Sequence, residues 1–242
     1  MEDILVVAAI GGAALAASIL AAVAGFGGAA VMLPVLVWAF GIRDAVPILT
    51  IAQLMGNLST VWFNRGELSF PVVNWFGLGA IPAAVVGGIV FATAPIGALV
   101  RVLGLFLLLM IAYRHSPWGR TRIGLRGFLP LGAISGVISA VVGVVGPFMA
   151  PFFLSYGLVS GAYIGTEALA TVMMHITKLG VYGGYSLIDA DIALVGVAIG
   201  SVMFMGSYLG KKILNRLPAA RFPLVIDGVL LAAGLLFIIR GD

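Results

Sequence analysis

The sequence predicts an all-α polytopic membrane protein built from two inverted-topology repeats, each with about five helical segments. The first observation behind this prediction is the composition: 62% of the residues are hydrophobic, 9% are charged and the mean hydropathy is +1.20. Soluble domains carry about 25% charged residues, so this chain is too apolar to remain in water. The other two observations are a succession of long apolar segments and a similarity between the two halves of the chain.

The apolar segments indicate helices, because they lack the alternating pattern of an outer-membrane barrel. In the first half they cover about 4–24, 29–40, 45–63, 70–91 and 95–113, and in the second half about 127–142, 147–156, 161–181, 188–210 and 221–240. A helix needs about 20 apolar residues to cross a bilayer, and the short segments 29–40 and 147–156 would cross only about half of one. Re-entrant hairpins and full crossings both fit these short segments, so we count 8 to 10 segments.

The two halves resemble each other around a glycine-rich motif. "AGFGGAAVMLPVLVWAFGI", which begins at Ala24, is similar to "VGVVGPFMAPFFLSYGL", which begins at Val142. Matched positions keep one spacing along the chain: Gly25 with Gly143, Gly28 with Gly146, and Asn57 with His175. We therefore divide the chain into a first membrane repeat (1–113), a basic linker (114–126) and a second repeat (127–242).

The charged loops predict that the second repeat is inverted relative to the first. The linker 114–126 and the loop 211–221 each carry four basic residues, so the positive-inside rule places both in the cytoplasm. The first-half counterpart of the second loop is the uncharged "ATAP" at 92–95, which falls on the opposite side. Inverted repeats with broken helices near the midplane are typical of secondary transporters.

The glycine motifs predict an anion site. A helix that begins inside the membrane leaves its first N–H groups unpaired and carries a partial positive charge at that end. Two such ends near the midplane would bind an anion, although small residues also serve close helix packing. The residues assigned to this feature are Gly25, Gly27 and Gly28 in the first half and Gly143, Gly146 and Pro147 in the second.

The helix after each motif carries a polar stripe with a spacing of three or four residues, which places its members on one face. The first stripe is Thr50, Gln53, Asn57 and Thr60, and the second is Glu167, Thr171, His175 and Lys178. We assign Gln53, Asn57, Thr171 and Lys178 to substrate contact, and Glu167 and His175 to proton coupling. Three alternatives stay open: hydrogen bonds between helices, a Lys178 that extends to the membrane surface, and an interfacial Glu167.

The glycine motif, its echo "VGVVGPFMAP" and the two-fold repeat resemble the TauE/SafE sulfite exporter family, also known as the 4-toluene sulfonate uptake permease family. The resemblance covers essentially the whole chain. It implies transport of small sulfur-containing anions, such as sulfite, sulfoacetate or other sulfonates, across the bacterial inner membrane.

We therefore expect a secondary transporter that exports its substrate and works by alternating access around a midplane anion site. A passive anion channel and a transporter of another small organic anion are the alternatives. The chain has two histidines and no cysteine, so we expect no enzymatic activity, no metal site and no cofactor. The expected partners are a small anion, the lipid bilayer and protons, with no nucleic acid, and the sequence leaves the oligomeric state open.

Overall fold

The computed structural model describes residues 10–15, 17–18, 28–116, 122–213, 231, 234–235 and 237–239. Regular structure in this part of the chain is helical, with no strand, which confirms the all-α prediction. The helices with complete bounds are α1 (Gly28–Phe40), α2 (Ile42–Phe63), α3 (Phe70–Thr93), α4 (Ile96–His115), α5 (Phe128–Val142), α6 (Gly146–Ser155), α7 (Ser160–Gly184) and α8 (Ala190–Ile213). The described residues of the first and last predicted segments are helical as well.

Helix lengths match the sequence prediction closely. Helix α1 has 13 residues and α6 has 10, so both are shorter than the roughly 20 residues of a membrane span. Among the described residues, four segments are long and apolar enough to cross a membrane: Ile42–Phe63, Phe70–Thr93, Ile96–Tyr113 and Leu125–Val142. The chain is therefore a multi-pass membrane protein.

The break between α5 and α6 follows from its local sequence. Helix α5 ends at Gly143, which adopts the left-handed conformation with a φ of 86° that a glycine accepts without strain. Helix α6 then begins at Gly146, and Pro147 lies in its first turn, where a missing N–H group costs no hydrogen bond. The break packs against the first half, because the Gly143 backbone approaches the side chains of Leu33 on α1 and Val46 on α2.

Helices α3 and α5 pack in direct backbone contact through glycine. A Cβ added to Gly132 would overlap the carbonyl oxygen of Phe76, and one added to Gly79 would overlap the carbonyl oxygen of Leu129. Gly136 lies equally close to the backbone of Ala80. The contacts advance along both helices together, so α3 and α5 are parallel. Small residues allow this approach, which is a common packing mode in membranes.

Helices α2 and α8 form a second glycine-packed parallel pair. Gly196 lies against Ile51, and Gly200 lies against Met55. Helix α7 is parallel to α3, because Met173 meets Gly77 and Val181 meets Gly88.

Helix α2 runs in the opposite direction to α7. The residue after its last turn, Asn64, contacts Gly165 near the start of α7, whereas Val46 near its own start contacts Gly143 at the end of α5. The end of α5 is in turn held by the later part of α7, through bonds to Lys178 and Tyr182. The start of α2 therefore lies near the end of α7, and the end of α2 lies near the start of α7.

We predict that Gly132→Ala destabilises the protein despite the higher helix propensity of alanine. The new methyl group would meet the rigid backbone of Phe76, and overpacking of this kind costs about 1–3 kcal/mol, more than the roughly 1 kcal/mol gained from propensity. The measurement is the apparent melting temperature of the purified protein in detergent. The matched control is Gly180→Ala, since a Cβ on this α7 glycine meets nothing within 4 Å. An equal or higher melting temperature for Gly132→Ala would contradict the packing described.

Candidate functional site

The polar stripe of α7 is buried inside the protein. The exposed fractions are 5% for Glu167, 9% for Thr171, 3% for His175 and 0% for Lys178. Two of the alternatives are therefore wrong: Lys178 does not extend to a surface, and Glu167 is not an exposed interfacial carboxylate. Burial of these groups is costly unless other polar groups compensate, so their partners define the site.

The Lys178 ammonium is held at the end of α5. Its Nζ donates to the backbone oxygen of Ser139 at 3.1 Å and to the Ser139 Oγ at 3.0 Å. The same Ser139 carbonyl accepts the N–H of Gly143 at 3.0 Å, which is the last hydrogen bond of α5. The end of a helix carries a partial negative charge, so the ammonium stabilises the terminus that the glycine break creates.

A second side chain of α7 caps the same terminus. The hydroxyl group of Tyr182 donates to the Ala140 carbonyl oxygen at 2.6 Å, and its ring packs against Phe91 with the centroids 5.2 Å apart. Tyr182 follows Lys178 by four residues and lies on the same face of α7. Two carbonyl groups of the last turn of α5 are thus satisfied by one face of α7.

The end of α3 is capped in a similar way by α2. The guanidinium of Arg43 donates to the backbone oxygens of Phe91, Ala92 and Ala94, and it also lies over the Phe91 ring. Arg43 and Tyr182 therefore both contact Phe91 at the end of α3. This links the start of α2, the end of α3 and the break after α5 in one network.

Some buried polar groups have no partner in the described part of the chain. These groups are both ring nitrogens of His175, the Oγ of Ser135 on α5 and the hydroxyl of Tyr163 near the start of α7. The Glu167 carboxyl accepts only a long hydrogen bond of 3.5 Å from Thr171 within α7. An unpaired polar atom in a membrane interior is expensive, so such a group points to a ligand or to bound water.

The polar stripe of α2 is less buried and only partly satisfied. Thr50 and Thr60 donate to the carbonyl oxygens of Val46 and Gly56 in their own helix, at 2.7 and 3.0 Å, and not to another helix. Gln53 and Asn57 are half-buried and form no hydrogen bond to other described residues. Hydrogen bonds to other helices in the described part of the chain therefore do not explain these four side chains.

The face of α2 that carries Gln53 and Asn57 is directed towards the break and α7. Val46, Gln53, Asn57 and Asn64 share one face by helical spacing. The two ends of this face contact Gly143 and Gly165. The amide groups thus lie along α2 between its contact with the α5–α6 break and its contact with the start of α7.

The glycine assignments are only partly described. Gly28 is the buried first residue of α1, while Gly25 and Gly27 lie outside the described residues. Gly143 and Pro147 are buried at the α5–α6 break. No hydrogen bond joins the start of α1 to that of α6 in the described residues, so the pairing of the two helix starts remains a prediction.

Sequence reasoning missed Ser139, Tyr182 and Arg43. Tyr182 extends the α7 stripe by one further turn, so the spacing alone could have found it. Ser139 lies in the last turn before a glycine break, which is not by itself a signal for a lysine partner. Arg43 follows directly after the break between α1 and α2, and nothing in the sequence shows which carbonyl groups it reaches.

Comparison with protein families decides the identity of the chain. A family model described as sulfite exporter TauE/SafE matches residues 10–237. The chain belongs to the TauE/SafE family. No individual curated protein and no solved structure matches it. TauE/SafE proteins are membrane transporters of the sulfite-exporter type and not enzymes, which confirms the resemblance seen in the sequence.

We predict that Tyr182→Phe lowers the stability of this TauE/SafE protein. It removes the only side-chain hydrogen bond that the Ala140 carbonyl receives among the described residues, and an unsatisfied buried acceptor costs about 1–3 kcal/mol. The measurement is the apparent melting temperature in detergent. Tyr163→Phe is the matched control on the same helix, because the buried Tyr163 hydroxyl has no partner. If both variants melted alike, the cap at Ala140 would have no energetic role.

Proposed function

We propose that the protein is a secondary transporter that exports a small sulfur-containing anion, such as sulfite, sulfoacetate or another sulfonate. The observation that carries this proposal is the fully buried Lys178 ammonium beside the α5–α6 break. Among the described residues, no carboxylate lies within ion-pair distance of it, and two of its three N–H groups are used by Ser139. The third N–H group and the uncompensated charge are then available to an anion.

The surrounding groups suit an oxyanion. Sulfite and sulfonates present three oxygen acceptors around one sulfur atom, and each can receive hydrogen bonds from several directions. The amide groups of Gln53 and Asn57, the Thr171 hydroxyl and the remaining N–H of Lys178 supply neutral and charged donors. The N–H groups at the start of α6, which Gly146 and Pro147 shape, would add to them. Recognition by dispersed donors also allows release in each transport cycle.

The helix directions support an alternating-access mechanism. Helices α2 and α7 occupy equivalent positions in the predicted repeats, and their contacts run in opposite directions. Helices α3 and α8 are likewise antiparallel to each other, because α3 is parallel to α7 and α8 is parallel to α2. Opposed directions of equivalent helices are the property that an inverted repeat requires. We infer that one group of helices moves against the rest around the buried face of α7.

We propose that Glu167 and His175 couple transport to protons. Both side chains are buried, and His175 has no hydrogen-bond partner that would fix its protonation state structurally. Imidazole changes its charge near neutral pH, so a small change in surroundings between two conformations can load or release a proton.

The proposed membrane arrangement follows the sequence analysis. The bacterial inner membrane, the cytoplasmic position of linker 114–126 and that of loop 211–221 rest on the family and on the basic residues of the two loops. Much of both loops lies outside the described residues.

We predict that Lys178→Met abolishes sulfite transport in proteoliposomes. Methionine preserves the length of the side chain but removes the charge that the anion would neutralise. Lys178→Arg keeps the charge, and we expect it to retain measurable transport. Arg101→Met on the exposed face of α4 is the control and should transport like the unchanged protein. Wild-type flux by a folded Lys178→Met variant would show that this ammonium does not bind the anion.

We predict that an imposed pH difference drives sulfite accumulation against its gradient, and that Glu167→Gln or His175→Gln reduces this to downhill exchange. The exposed Glu67→Gln variant is the control, because it removes a carboxylate outside the buried face. Flux that is only downhill in the unchanged protein would favour the passive channel. Accumulation of another organic anion, with no response to sulfite or sulfonates, would favour the second alternative.

A further inference from the structure

Hydroxyl groups within the helices of this protein follow one pattern, and α5 departs from it. Most described helical serines and threonines donate to the carbonyl oxygen three or four residues earlier in their own helix, although Thr166 instead accepts the N–H of Ser69. Examples outside the polar stripes are Ser59, Thr93, Thr177 and Ser201. This local bond is the usual way in which a hydroxyl group is accommodated in a membrane helix.

The two serines of α5 do not make this bond. Ser135 has an exposed fraction of 0%, and its Oγ has no hydrogen-bond partner. Ser139, with an exposed fraction of 1%, accepts a hydrogen bond from Lys178 and donates none within the described part of the chain. Both hydroxyl hydrogens are therefore free to donate to a further group.

The position of these serines ties them to the buried face of α7. Ser135 and Ser139 are four residues apart and share one face of α5. The Lys178–Ser139 hydrogen bonds join this face to the face of α7 that carries His175, whose ring nitrogens are also unpaired. Buried polar groups without partners are thus present on both helices where α5 meets α7, and the described residues supply no acceptor for them.

We propose that Ser135 and Ser139 are substrate-binding residues that donate their hydroxyl hydrogens to the oxygen atoms of the transported oxyanion. This rests on the proposed function and extends its site from α2 and α7 to α5. The missing acceptors are what a sulfite or sulfonate group brings, since its oxygens accept several hydrogen bonds at once. Through Ser139, the same oxyanion would lie next to the Lys178 ammonium.

The serine pair also gives the site a basis for selectivity. Two hydroxyl groups one helical turn apart are about 6 Å apart along the axis, which suits two oxygens of one oxyanion or one oxygen and a bridging water. A single halide ion could also bridge two donors at this separation, but it offers only one centre, whereas an oxyanion can place a further oxygen against the Lys178 ammonium beside Ser139. We therefore expect the serines to favour sulfite and sulfonates over chloride.

The decisive variant is Ser135→Ala, because Ser135 has no bond within the protein to lose. We expect it to fold, with an apparent melting temperature equal to or above that of the unchanged protein, since an unpaired buried hydroxyl group is removed. In proteoliposomes we expect its KM for sulfite to rise about tenfold, which is the value of one hydrogen bond to a charged group. Its preference for sulfite over chloride, measured by competition, should fall by a similar factor.

Ser59→Ala is the matched control, because Ser59 is a buried helical serine bonded to its own helix. It should keep the KM and the selectivity of the unchanged protein. Ser139→Ala should raise the KM as Ser135→Ala does, with an additional loss of stability, because Lys178 loses one of its two acceptors.

The outcomes separate the two proposals. If the unchanged protein transports sulfite or a sulfonate and Ser135→Ala retains its KM and selectivity, the role of the serines is overturned while the proposed function stands. If the unchanged protein transports no sulfur oxyanion, the proposed function fails and this inference fails with it. The serine site is supported if Ser135→Ala raises the KM without a loss of stability and Ser59→Ala leaves the KM unchanged.

Discussion

The structure depends on one constraint, which is that a helix ending inside a membrane must have its carbonyl groups satisfied by the protein itself. The hydrocarbon core contains no water that could donate hydrogen bonds to these carbonyl groups. At the end of α5 the donors are Lys178 and Tyr182. At the end of α3, which is long enough to reach the membrane surface, the Arg43 guanidinium donates to backbone oxygens in the same way. These long side chains allow the chain to stop and restart helices without leaving backbone acceptors unpaired, and so they permit the glycine breaks.

Lys178 illustrates why such a cap also suits a transported anion. Two of its hydrogens keep the ammonium at the Ser139 carbonyl and hydroxyl oxygens, and these dipoles offset only part of the cost of burying the charge. An anion would offset much of the remainder, and its departure would leave the cap intact. The protein therefore has no need to rebuild its backbone contacts when the site is empty. A single residue serves the fold and the proposed site through different hydrogens of one group.

The sequence predicted the helices better than it predicted the partners within the site. Apolar length and the glycine and proline positions located α1 to α8, because lipid permits few other structures. The α7 stripe was predicted to share one face, and that face is buried. Lys178 was assigned to an anion or to the surface, however, and its first partners are the backbone and hydroxyl oxygens of Ser139. The spacing of polar residues within one helix shows which side chains share a face. Which residues of another helix contact that face depends on how α5 and α7 pack against each other.

The backbone contacts between glycines have a mechanical consequence. Where Gly132 and Gly79 bring α3 and α5 into contact, no side chain lies between the helices to change rotamer, so the pair must move as one rigid body. Helices α2 and α8 also pack closely at Gly196 and Gly200, but there the side chains of Ile51 and Met55 lie against the glycines. Helix α7 contacts the rigid α3–α5 pair through Lys178 and Tyr182, which bond to the end of α5. A shift of α7 against this pair would therefore change the hydrogen bonds of its buried face.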